Sequence, residues 1–427
     1  MVTHYAGPTM STSKTVSTAS GFRTAFVLTL SLFALWGMGQ QLCGVLLPQI
    51  AGPLHLKGFE DAVATNASAV VYMLCAIPAA VYAVRLGYKA AILCGLGCVT
   101  LGCFTLYPAV ALHAHGYFLI AITTMSLGWV FLDVSANPLA ASLGTDDKFV
   151  WRLNVAQAVY PVGTIAAIIF DKWLTGTQVS VFGTHFTLST ADPYILLGAG
   201  VVLIAYLFEA KPFPAVAIER TSGGEGKILR ALFSDRTVLF AMAAQGLGIT
   251  ILIFNGGIGG RYLTTAFHAA STGPLDDVFF WAALIFAAGR LAGCYLMRFI
   301  APGRLLIIFA IAGVVCSLAA AAGWTTLSGF AVLANQFFAA ILWPTILGLS
   351  IRGRGPQMKL ATALVCMGGA AGGIAFQLML TAWPSMPTQA GMAIMALCFA
   401  AIFGFARACG WDAKAATGAA MPEPQTT

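Results

Sequence analysis

Leu127-Gly128-Trp129-Val130-Phe131-Leu132-Asp133-Val134-Ser135-Ala136-Asn137-Pro138 is an apolar segment with a single acid near its centre. Upstream of that acid, residues 90–132 carry no Asp, Glu, Lys or Arg, and the next charge downstream is Asp146. A bilayer-crossing helix needs about 20 apolar residues, so this length of chain reads as membrane-embedded. Turn signals at His113-Ala-His115-Gly116 split it into a helical hairpin whose second helix carries Asp133. A charged Asp at mid-membrane costs roughly 2.5–3.5 kcal/mol on insertion scales, so Asp133 is expected to face the bundle interior or a water-filled cavity. A carboxyl that can be neutral or charged there is suited to carrying a proton. The alternative is an acid held neutral, or bonded to a nearby backbone group, as interhelical glue.

The rest of the chain agrees with this segment. Of 427 residues, 59% are hydrophobic and 9% charged, with a mean hydropathy of +0.86, whereas an average soluble domain is about 25% charged. A soluble enzyme and a disordered chain are both excluded. The net charge of +7 falls almost entirely between apolar segments, as expected of loops facing anionic lipid. No basic cluster interleaves with aromatics, so nucleic acid is not an expected partner. The 10 cysteines lie in or beside apolar segments without metal-ligand spacing, so they read as free packing thiols, with no metal and no cofactor.

Twelve segments qualify as spans, near 24–50, 62–84, 90–112, 116–143, 153–170, 193–208, 237–260, 277–297, 304–323, 326–350, 360–382 and 388–408. With the N-terminus inside, 19 of the 22 Lys and Arg fall on inner segments or inner span ends, leaving only Lys57, Lys172 and Arg261 outside. The positive-inside rule then places both termini in the cytoplasm. The longest charged interruption, Glu209 to Arg236, holds Pro212, Pro214 and Ser222-Gly223-Gly224. It divides a six-helix bundle at 24–208 from a second at 237–408, with a linker at 209–236 and cytoplasmic tails at 1–23 and 409–427. Residues 171–192 form the longest external loop expected.

The two halves echo each other. Arg85 and Lys89 follow span two as Arg298 and Arg304 follow span eight, and together with Arg290 these read as inner, conformation-gating charges. Asn137-Pro138 in span four matches Trp343-Pro344 in span ten, 206 residues on. Proline-interrupted helices at corresponding places in two halves point to a transporter's midplane site. Candidate solute ligands in the spans are Gln40, Gln41, Asn137, Asn154, Gln157, Tyr160, Gln245, Asn255, Asn335 and Gln336, with Trp36 and Trp343 as faces for a sugar ring. Each alone could instead be an interhelical bond or an interface anchor. The glycine clusters Gly256-Gly257-Ile258-Gly259-Gly260 and Gly368 to Gly373 are explained by close helix packing.

Phe33-Ala-Leu-Trp36-Gly, Leu46-Leu47-Pro48-Gln49, Asp133-Val-Ser-Ala-Asn137-Pro138, Arg152-Leu-Asn154-Val-Ala-Gln157, Trp343-Pro344-Thr345 and the last-span run Ala396 to Arg407 resemble the fucose:proton symporter family of the major facilitator superfamily. The resemblance covers about 24–408. It implies an all-α membrane protein with twelve transmembrane helices in two six-helix bundles related by pseudo-two-fold symmetry. It also implies a bacterial inner-membrane carrier of a fucose-, galactose- or glucose-like monosaccharide that acts as a monomer by alternating access. The chain departs from the family pattern in three places: Gly44 stands where the family has a span-one acid, Asp133 where it has Glu, and Tyr160 where it has Asn.

The reading is therefore a sugar carrier coupled to protons through Asp133, with the bilayer, a sugar and a proton as its partners. Alternatives are an uncoupled facilitator, because of Gly44, or a carrier of another small polar solute. A membrane enzyme is disfavoured by scattered histidines, and an ATP-driven pump by the lack of a phosphate-binding glycine loop.

Overall fold

The computed structural model describes residues 19–51, 59–112, 114–174, 178–181, 184–187, 192–214, 224–267, 278–323, 325–383 and 385–411. Most of the expected tails, Lys14, Lys57, His113, Ser222 and Pro384 lie outside the described residues.

Among the described residues, twelve helices long and apolar enough to cross a membrane follow one another. Spans one to four are Ala19–Ala51, Phe59–Leu86, Tyr88–Ala111 and His115–Ser142. Span five is broken into Phe149–Gln157 and Tyr160–Leu174, and span six is Asp192–Ala210. Span seven runs through Arg236–Phe254, a π-helical turn at Asn255–Gly259 and Gly260–Ala266. Spans eight and nine are Val278–Leu296 and Pro302–Ala321. Span ten is broken into Thr325–Ala339 and Leu342–Ile351, and spans eleven and twelve are Met358–Ala382 and Thr388–Ala408.

Three local departures from the expected layout have physical causes. Span five starts before residue 153, because Arg152 is no boundary charge: its guanidinium is buried and donates to the Ala141 carbonyl at 2.9 and 2.6 Å. That carbonyl lies in the last turn of span four, where helical donors run out. The segment after span five carries a short antiparallel hairpin, Gln178–Val181 against Thr184–Thr187, rather than loop alone. Its alternating Val, Thr and Phe suit a strand. The expected linker contains a helix, Glu225–Ser234, tied to the end of span two by Arg85 donating to Glu225 at 3.1 Å.

Helix pairing shows the two-fold relation directly. In the first half span one packs on five and six, three on four and six, and two on four. In the second half seven packs on eleven and twelve, nine on ten and twelve, and eight on ten, the same pattern displaced by six spans. Across the halves, two meets eleven as eight meets five, and four meets eleven as ten meets five. Glycine makes the corresponding pairs close. A Cβ on Gly163 would strike the Ala34 carbonyl between spans five and one, and one on Gly372 would strike Gly246 between eleven and seven.

At the end where span one begins and span twelve ends the halves are in contact. Gly348 lies against Val150 and Leu153, Trp151 donates to the Cys294 carbonyl at 3.0 Å, and Arg352 pairs with Asp146 at 3.0 Å. Asp235 caps span seven through Thr237 and Val238 N–H and also receives Arg354 at 2.8 Å. Partial burial opposes its charge, but Arg354 and the two N–H groups outweigh that and hold the carboxyl below its ordinary value. Glu225 is lowered too, first by its own backbone N–H and then by Arg85.

Candidate functional site

Toward the other end the halves part around a cavity of about 510 Å³. Its outer wall includes Gln40, Asn66 and Gln377. Gln40 lies roughly 30 Å along span one at 1.5 Å per residue, so this wall is remote from the end where span one begins. Deeper are Trp36, Tyr72, Asp133, Gln157, Tyr160, Phe286, Arg290, Trp343 and Cys366. Both halves contribute, from spans one, two, four and five and from seven, eight, ten and eleven. The candidate ligands from the sequence lie on spans one, four, five, seven and ten; spans two, eight and eleven add to the wall.

Asp133 is fully buried and, among the described residues, is the only carboxylate on the cavity wall. Asn137, one turn on, donates its amide to both the Asp133 backbone carbonyl, at 2.9 Å, and the carboxylate Oδ1. Tyr72 and Cys366 reach the same carboxyl from spans two and eleven, and Oδ2 lacks a hydrogen bond of good geometry. A buried acceptor without a full set of partners is costly, which suits a group that binds a proton or a ligand.

Asn137 in turn accepts from Gln157 Nε2 at 2.7 Å. Gln157 accepts from Arg290 at its side-chain oxygen, 3.1 Å, and at its backbone carbonyl, 2.9 Å. Arg290 also donates to the Ala340 carbonyl at 2.7 Å and lies 4.9 Å from the Phe286 ring centroid. Arg290, expected as an inner gating charge, lies within span eight and not in a loop. It sits mid-span, 3% exposed, on the cavity wall. Arg85 pairs with Glu225 at 3.1 Å and Lys89 with Glu209 at 3.4 Å at the end where span one begins, and Arg298 and Arg304 are exposed there.

Of the other candidates, Trp36, Gln40, Gln157, Tyr160 and Trp343 line the cavity. Trp36 and Tyr160 meet edge to face at 5.9 Å, and neither indole N–H of Trp36 and Trp343 has an acceptor. Gln41 and Gln336 are off the wall. Asn335 faces span nine and pairs with Ser317 at 3.1 Å. Asn154 accepts from Thr345 at 3.3 Å across the halves, below the cavity. Gln245 Nε2 donates to the Trp343 backbone carbonyl at 3.5 Å, and Asn255 is buried at the π-helical turn without a side-chain partner. The residues missed were Asn66, Tyr72 and Gln377. Gln377, an amide inside an apolar run, carried the same signal as those chosen.

No family model matches the chain. It is 29% identical to the L-fucose-proton symporter of Escherichia coli (strain K12) over 90% of its length and 92% of that protein. It is 25% identical to a glucose/galactose transporter of Brucella abortus, over 80% of this chain and 84% of that one. A crystal structure of the major facilitator superfamily transporter FucP in the outward conformation superposes with a TM-score of 0.77 at 25% identity, covering 91% of this chain and 99% of that one. With sequence likeness along nearly its whole length and a superposable arrangement of helices, the chain has the major facilitator fold and is similar to fucose:proton symporters.

Proposed function

We propose that the chain carries a monosaccharide of the fucose, galactose or glucose kind together with a proton across the bacterial inner membrane, by alternating access. The observation that carries this reading is a cavity between two pseudo-symmetric halves whose wall combines indole faces, amides and, among the described residues, a single buried carboxyl. Sugars are bound by such a set: aromatic faces meet the ring's C–H surface and amides meet its hydroxyls. The names of the relatives, a fucose-proton symporter and a glucose/galactose transporter, favour the same substrate class.

In this reading Trp36, Gln40, Gln157, Tyr160 and Trp343 hold the sugar, with Asn66 and Gln377 at the mouth. Asp133 takes up the proton and gives it to the opposite side when the halves rock. The bundles at 24–208 and 237–408 are the rocking bodies, both termini are cytoplasmic, and one chain is the working unit. The chain is closed at the cytoplasmic end and receptive from outside.

The test is uptake of a panel of labelled hexoses and deoxyhexoses into proteoliposomes, with and without an imposed pH gradient. One class of sugar is expected to accumulate only when the outer side is the more acidic. Equal uptake with and without the gradient would replace symport by facilitation, and no uptake of any sugar would move the substrate to another class.

A further inference from the structure

Arg290 has no carboxylate within ion-pair distance among the described residues, yet its guanidinium is buried at the junction of the halves. Two prolines account for the groups it holds. Ala340 stands four residues before Pro344 and Gln157 four before Pro161. Proline has no N–H to give to the carbonyl four residues back, so both carbonyls lose their helical donor. Arg290 donates to both, at 2.7 and 2.9 Å, and one belongs to each half.

The same guanidinium begins a directed chain of hydrogen bonds. Arg290 donates to Gln157 Oε1, Gln157 Nε2 to Asn137 Oδ1, and Asn137 Nδ2 to Asp133 Oδ1. Its ends fix its direction. A guanidinium can only donate and a carboxylate can only accept, so both amides turn their oxygen toward the arginine and their NH₂ toward the aspartate. Charges at the two ends polarise every bond between them.

We propose that Arg290 is a positioning residue that reads the charge of Asp133 through the amides of Gln157 and Asn137, and so ties that charge to the contact between the halves. The inference rests on the proton-coupled reading above. With Asp133 ionised, the last bond is charge-assisted and the chain is taut from carboxylate to guanidinium. With Asp133 protonated, that bond reverts to a neutral one, about half as strong, and the grip of span eight on span five relaxes. Tyr72 and Cys366 face the carboxyl, and Tyr160, Cys294 and Phe286 face the guanidinium. None of these is a second carboxylate or an imidazole, so Asp133 is the group through which protons act here.

The test is double electron–electron resonance between spin labels at Tyr107 and Leu327, exposed positions at the outer ends of spans three and ten. It is read in lipid nanodiscs without sugar, on a background in which the native cysteines are replaced. In the wild type the ratio of outward to inward populations is expected to change with pH. Gln157→Leu leaves both charges in place but cuts the chain, and Asn137→Leu cuts it one step earlier should the first variant not fold. Either is expected to lose the pH response, as Asp133→Asn does, whereas Arg290→Lys, which keeps the charge and a donor, retains part of it. A wild-type pH response in a folded Gln157→Leu or Asn137→Leu would overturn the relay while leaving the coupling reading intact. A wild type whose populations ignore pH, and whose sugar uptake ignores a pH gradient, would overturn both.

Discussion

Replacing Gly348 by leucine should prise apart the closed end of the molecule. Gly348 of span ten lies between the halves, and a Cβ built on it would meet Val150 Cγ1 at 3.2 Å and Leu153 Cδ2 at 3.4 Å. Alanine thus fits with a shift of a few tenths of an ångström, but the three further carbons of leucine have no room. Overpacking of this kind costs about 1–3 kcal/mol. The contact joins the two halves and lies within neither, so the cost falls on the state described here and not on one open at this end. At about 1.4 kcal/mol per factor of ten, the ratio of outward to inward populations should fall about 5- to 150-fold in Gly348→Leu. Gly348→Ala should stay close to the parent. Spin-label distances between Tyr107 and Leu327 read this ratio. If Gly348→Leu keeps the parental distance distribution while its thermal midpoint drops, the strain is being taken up within a half, and the gate assignment is refuted.

Further outcomes follow from the same geometry. Gln40→Ala should weaken sugar binding, measured by equilibrium dialysis, whereas Gln336→Ala, off the cavity wall, should leave affinity unchanged; equal losses would put the sugar elsewhere. Gly372→Ala, which would strike Gly246, should lower the unfolding midpoint through a cost of about 1–3 kcal/mol, while Gly97→Ala, with nothing within 4 Å, should be neutral or raise it. The Asp235 carboxyl is held below its ordinary value by Arg354 and the span-seven N–H groups despite partial burial. Its contribution is therefore complete above the unfolded pKa of about 4 and is lost as pH falls through the native value. The gap in unfolding midpoint between wild type and Asp235→Asn should accordingly close in acid, and a gap that widens there would be the wrong sign.

Apolar length and charge position were enough to read the spans, because a bilayer enforces both. Asp133 was legible for the same reason: an acid in hydrocarbon stands out. Arg290 was not, since an arginine six residues before Leu296 reads as an inner boundary, and only packing shows that spans five and ten reach it with carbonyls freed by Pro161 and Pro344. The amide faces were also hidden. Spans five, seven and ten are interrupted at Ala158, Asn255 and Ala340, and each interruption resets the rotation of the helical segment beyond it. Asn335 consequently turns to Ser317 of span nine, and Gln336 is off the wall of the cavity that Trp343 lines. The linker helix was masked by the prolines and glycines around it.

In the proposed mechanism sugar movement is driven by one proton carried on Asp133. Because Asp133 is the only carboxylate on the cavity wall among the described residues, one proton per sugar is expected. Without a membrane potential, that stoichiometry gives about tenfold accumulation per unit of pH gradient, since one pH unit and a tenfold concentration ratio are both about 1.4 kcal/mol. The direct measurement is the steady-state sugar ratio in proteoliposomes carrying wild type or Asp133→Asn, beside sugar exchange in the absence of any gradient. The wild type should reach that tenfold ratio, and Asp133→Asn should exchange sugar yet hold the ratio at unity. Accumulation driven by the pH gradient in Asp133→Asn would contradict a proton carried on this residue.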